Sequence, residues 1–125
     1  MKSVDQFGNK LNIQEQAGVK SITIKLVNGQ ERRIGSIKGN EYFVSRIYEK
    51  HLFRKFNAYG INSWVLSYFD VDVVVLREFK HDEDSRIFRI PKQVILDEGK
   101  YLTFSDKGFE KQIFIPLDIL YKYEE

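Results

Sequence analysis

Hydrophobic and polar residues alternate most cleanly over Ser21-Ile22-Thr23-Ile24-Lys25-Leu26-Val27, which places Ile22, Ile24 and Leu26 on one face of a strand. Asn28-Gly29 follows, a pair that tolerates positive φ and marks a tight hairpin. The return strand spans 31–37. A strict two-residue loop sets Ile24 against Arg33, so a one-residue bulge that sets Ile24 against Ile34 is the expected register. Further on, Val71-Asp72-Val73-Val74-Val75-Leu76 is β-branched and nearly continuous, the pattern of a central strand over 71–79. Its partner is 86–90, reached across the acidic turn 81–85. Pro91 suits the first residue of a short helix that ends at Glu98, with Gly99 just beyond it. Residues 100–105 and 109–115 read as a third hairpin, and Asp118 as the cap of a final helical turn.

Helical spacing is strongest where Val44, Tyr48, Leu52 and Phe56 recur every four residues behind the capping residue Asn40. This predicts a helix over about 41–56, ended by Asn57 and Gly60; a pair of strands is the competing reading. Asn62-Ser63 caps a short helix through Phe69 or opens a strand, and the local pattern fits both. Residues 1–18 are polar and weakly periodic, which predicts a flexible or loosely docked N-terminal arm before a single domain over 19–125. The fold class expected is α+β, with a mainly antiparallel sheet and the longer helix packed on it.

Composition narrows the chemistry more than it identifies it. The chain has 125 residues, 42% of them hydrophobic and 30% charged, with 2 Pro and 8 Gly, so it can build a core and is neither disordered nor collagenous. It has no Cys, which excludes disulfides and thiolate metal sites. No apolar run approaches the length of a membrane helix, and the opening Met1-Lys2-Ser3-Val4-Asp5 lacks the apolar core of a secretion signal. A cytoplasmic protein without a membrane partner is the expectation. His51 and His81 are the two histidines and no Ser stands in a nucleophile-elbow setting, so a catalytic triad has no support.

The net charge of +2 conceals a partition. Residues 1–60 carry 11 Lys/Arg against 5 Asp/Glu, and residues 61–125 carry 9 against 13. Within the basic half, Arg46, Lys50 and Arg54 stand four residues apart and would form one helical stripe, with Lys55 and His51 at its side. Such a stripe neutralises phosphates, and the neighbouring Tyr42, Phe43, Phe53 and Tyr59 could stack on unpaired bases. Lys25, Arg32, Arg33 and Lys38 of the preceding hairpin would extend the patch. The plain alternative is a solvated helix face whose long side chains cover apolar surface. Ten Phe, seven Tyr and one Trp mostly supply the core, with a surplus near 42–59 and 121–123 that suits a partner surface.

Asp70 and Asp72 suggest a different chemistry. If 70–78 is one strand, both carboxylates point to one face. Two adjacent carboxylates can hold Mg²⁺, which prefers hard oxygen ligands and activates water. The alternative is that Asp70 ends the preceding element and Asp72 pairs with Arg86 or Arg89 across the hairpin. The order of a helix near Glu41, a strand with Asp70-Val71-Asp72-Val73-Val74-Val75, and then Arg86-Ile87-Phe88-Arg89-Ile90-Pro91-Lys92 resembles the core of the PD-(D/E)XK nucleases over roughly 40–115. The resemblance implies Glu41 as the helix acid, Asp72 as the metal-binding and catalytic strand acid, and Lys92 as the catalytic lysine. It departs from the family's motif where Ile90 occupies the place of the second acid. Glu78-Phe79-Lys80 supplies an acid-x-Lys string, but on the same strand as Asp72.

These readings lead to two expectations. The first is a non-catalytic binding module that contacts nucleic acid or a nucleic-acid-handling protein and needs no cofactor. In the second case the acidic 70–84 and 97–125 segments would form the contact. Its size and style suggest a phage or mobile-element accessory protein, and strands around 100–115 could pair edge to edge in a homodimer. The second expectation is a Mg²⁺-dependent nuclease or its inactive relative.

Overall fold

Two-residue periodicity governs more of the chain than the sequence suggests. The computed structural model describes residues 4, 8–45, 57–78, 86–102 and 112–125. Four strands, β1 (Lys10–Gln16), β2 (Val19–Lys25), β3 (Glu31–Lys38) and β4 (Glu41–Val44), form an antiparallel meander. After β5 (Ala58–Asn62) and α1 (Ser63–Tyr68), the chain returns as β6 (Val73–Glu78), which lies parallel to β4 and antiparallel to β7 (Arg86–Pro91). The large sheet therefore has the order β1-β2-β3-β4-β6-β7. A second, antiparallel sheet has the order β5-β9-β8, with β8 at Lys100–Leu102 and β9 at Gln112–Pro116. The short helices α2 (Lys92–Glu98) and α3 (Leu117–Leu120) follow β7 and β9, and a 3₁₀ turn spans Tyr121–Tyr123. The architecture is α+β and mostly sheet, as the pattern predicts.

One buried cluster ties the two sheets together. It joins Ile22, Ile24, Ile34, Val74, Leu76, Phe88 and Ile90 of the large sheet to Ile61, Ile113 and Ile115 of the small one, with Val65 and Ile95 from the helices. Each such side chain contributes about 1.5–3 kcal/mol by leaving water. Asn62 settles the undecided segment after β5. Its Oδ1 accepts a hydrogen bond from Val65 N at 3.2 Å, which caps α1 and favours helix over strand.

Several expectations need correction. The helix over 41–56 does not begin at Glu41: Glu41–Val44 is β4, hydrogen-bonded to β3 on one side and to β6 on the other. The Tyr42 hydroxyl donates to Ile34 O at 2.8 Å from a fully buried ring, so pairing and packing override the four-residue spacing. Residues 46–56 lie outside the described residues. The expected helix end at Asn57 and Gly60 is instead the entry to and middle of β5, with Asn57 at φ +50. The arm expected over 1–18 contains β1, paired with β2 along its whole length. Its hairpin turns on Ala17-Gly18, at φ +54 and +79, a primed turn with Ala where Asn or Gly is usual.

The bulge exists but sits elsewhere. Leu26 N donates to Gln30 O and Gly29 N to Leu26 O, at 2.8 and 2.9 Å, so the β2–β3 loop has three residues and closes with Gly29 at φ +91. Ile24 then faces Arg32, and the extra residue is Ile34, between the pairs Thr23–Arg33 and Ile22–Gly35. The Ile34 carbonyl accepts from both Ser45 N and the Tyr42 hydroxyl. Gly35 lies under the Tyr42 ring and the Phe43 carbonyl, where no Cβ fits.

Candidate nucleic-acid interface

Residues paired across a sheet point to the same side of it. Lys10 pairs with Lys25, Thr23 with Arg33, and Val19 with Lys38, so Lys10, Lys25, Arg33 and Lys38 share one face of β1–β3. All four are exposed. Leu11, Ile22, Ile24 and Ile37 occupy the opposite, buried face. The Ile34 bulge is what brings Arg33 out, because the extra residue inverts the alternation of β3 between Gly35 and Arg33. Asn12, Gln14, Ser21 and Ser36 fill the same polar face, and half-buried Phe43 opens onto it opposite Ser36.

The electrostatics of this face are unbalanced. Lys10 and Lys25 stand directly opposite each other, an arrangement that costs a sheet a few tenths of a kcal/mol to about 1 kcal/mol. Glu31 is the acid beside them, opposite Lys25. Among the described residues, however, no carboxylate lies within ion-pair distance of Lys10, Lys25, Arg33 or Lys38.

The β7 side differs. Arg86 makes a two-pronged ion pair with Glu124, at 3.0 Å from Nε and 2.7 Å from Nη2. Its guanidinium also stacks on Tyr121 and Phe88, 4.2 and 5.2 Å from the ring centroids. Arg89 bridges Glu41 of β4 and Glu125, the latter at 3.1 Å. Glu125 N donates to Ile87 O at 2.8 Å, which lays the last residues along the outer edge of β7.

The carboxylates of the nuclease-like reading occupy the corner where β4, β6 and β7 meet. β6 begins at Val73, so Asp70 and Asp72 precede it and do not share a strand face. Val71 N turns back to Phe69 O at 3.0 Å, and Asp72 N and Val73 N both donate to Asn40 O. Both aspartates are exposed, and Asp72 Oδ2 accepts from Asn40 Nδ2 at 2.9 Å. Glu41 pairs in register with Val73, and Lys92 N donates to Asp72 O at 2.8 Å. The backbones of Glu41, Asp72 and Lys92 thus converge. Their side chains diverge: Glu41 is held by Arg89, Asp72 by Asn40, and Lys92 lines a cleft beside α1. Among the described residues, no three His, Cys, Asp or Glu side chains gather as a metal site.

Arg46, Lys50, Arg54 and Lys55 lie outside the described residues. The polar composition of residues 1–18 hides Lys10 as a face residue, and the alternation of Leu11 and Ile13 is the sequence signal for β1. Among the described residues, no helix is long and apolar enough to cross a membrane. Compared with protein-family models, with curated proteins and with solved structures, the chain finds no match.

Proposed function

We propose that this protein is a non-catalytic nucleic-acid-binding module whose contact surface is the solvent face of β1–β3. The observation that carries the reading is the cluster of Lys10, Lys25 and Arg33, gathered on one sheet face with no ion-pairing carboxylate among the described residues. A phosphate backbone relieves their mutual repulsion and releases its own counterions on binding. Phe43 on the same face favours single strands, since an aromatic ring stacks on unpaired bases of any sequence. The basic segment with Arg46, Lys50, Arg54 and Lys55 follows β4 directly and would extend the contact.

The test is a filter-binding titration of poly(dT), poly(U) and a short DNA duplex against salt. Affinity should fall steeply with salt. Replacing Lys10, Lys25 and Arg33 together by Gln should reduce the slope of log K on log salt by about 2–3 and the low-salt affinity about a hundredfold. An unchanged slope in the folded variant would sink the assignment.

An active Mg²⁺-dependent nuclease with an incomplete motif is the second reading, favoured by the backbone convergence of Glu41, Asp72 and Lys92. It requires strand cleavage that depends on added Mg²⁺ and disappears in Asp72→Asn and Lys92→Ala.

A further inference from the structure

A cleft of about 390 Å³ lies between α1 and α2, closed at one side by the small sheet. Its walls are apolar where Leu66, Leu96, Tyr101 and Ile113 meet. Leu96 is 38% exposed and Tyr101 48%, so two large side chains line an opening that buries neither. The cleft's cation is Lys92, half-buried at the start of α2, with Ser67 across from it on α1. Ser67 Oγ donates to Trp64 O at 3.0 Å, which fixes that hydroxyl against its own helix. Among the described residues, no carboxylate lines the cleft or lies within ion-pair distance of Lys92.

The geometry points to a binding site for a small amphiphilic carboxylate, its anionic head on the Lys92 ammonium and its aromatic or branched apolar body against Leu96, Tyr101 and Ile113. Lys92 has no carboxylate partner among the described residues, and a bound carboxylate supplies that charge through a charge-assisted hydrogen bond. Apolar walls with a few polar groups, here Ser63, Ser67 and Lys92, are the usual construction of small-molecule sites, and this volume is at the small end of their range. The site is separate from the basic sheet face, because none of its lining residues belongs to β1–β3.

The experiment is amide chemical-shift mapping with a panel of aryl and branched aliphatic carboxylates, each beside its neutral alcohol. 4-Phenylbutyrate and 4-phenylbutanol form one such pair. Saturable shifts should appear at Ser63–Ser67, Lys92–Leu96 and Tyr101. The alcohol should bind about tenfold more weakly, and Lys92→Met should cost the acid a similar factor while leaving the alcohol unchanged. Leu96→Asp, a change at an exposed position, should abolish acid binding without lowering Tm. If no carboxylate in the panel gives saturable shifts there, the site is not a carboxylate site. Equal binding of acid and alcohol, or equal binding by Lys92→Met, would equally overturn it.

Discussion

The solvent face of β1–β3 and the outer edge of β7 are both rich in cations and use them in opposite ways. On β7, Arg86 and Arg89 each have glutamate partners, and Arg86 also lies on two rings. Those arginines hold the chain's last residues to the sheet. On the solvent face of β1–β3 the cations Lys10, Lys25, Arg33 and Lys38 are exposed, mutually repelling and, among the described residues, without ion-pairing carboxylates. In the proposed reading, the paired charge of β7 stabilises the fold and the charge of β1–β3 is kept for a partner. At the β7 edge, the partition between the two halves of the sequence does not resolve as one half binding the other. The acids of the C-terminus meet arginines of the same half, and Arg89 also takes Glu41 from the basic half.

The largest effect on this contrast should come from Gly35→Ala. The added Cβ would collide with the Tyr42 ring and the Phe43 carbonyl at the bulge that turns Arg33 to solvent. Overpacking of this kind should destabilise the protein by about 2–3 kcal/mol, measured by urea unfolding. An unchanged midpoint would mean that the bulge relaxes and does not fix the face. Next is Arg86→Ala, which removes a half-exposed two-pronged ion pair and two ring contacts. It should cost about 1–2 kcal/mol of stability and leave polynucleotide affinity unchanged. A loss of affinity would show that both cation clusters face the partner. The smallest effect is that of Lys25→Gln. It should raise stability by a few tenths of a kcal/mol by relieving Lys10, while weakening polynucleotide binding. Lower stability together with unchanged binding would place Lys25 in the structural class of Arg86.

Local signals located the elements whose hydrogen bonds and burial are local. The Asn28-Gly29 turn, the strand through Val73–Leu76 and the helix between Pro91 and Gly99 stand where the residues indicate, whereas the Asn62 cap decides between two readings that the local pattern fits equally. What the sequence could not show depended on distant partners. β4 is four residues long and is a strand because β3 and β6 flank it, and those neighbours are invisible in a four-residue period of apolar side chains. β1 was hidden by its turn, since Ala17 adopts a positive φ that its residue type does not advertise. The candidate site followed the same rule. Lys25, Arg33 and Lys38 were legible as basic hairpin residues, but their common face depends on where the bulge falls. A shift of one position exchanges Arg33 for Arg32.

The parallel pairing of β4 with β6 also sets an order of assembly. The β1–β4 meander has only short turns to close and can form from local contacts. Joining β6 to β4 requires the whole segment between Val44 and Val73, including β5 and α1, to be gathered first, at a greater entropic cost of loop closure. Until then the outer edge of β4 remains an open template for any passing strand. On a ribosome, the face that bears Lys10, Lys25 and Arg33 would be complete while the core beneath it still lacked Val74, Leu76 and Phe88.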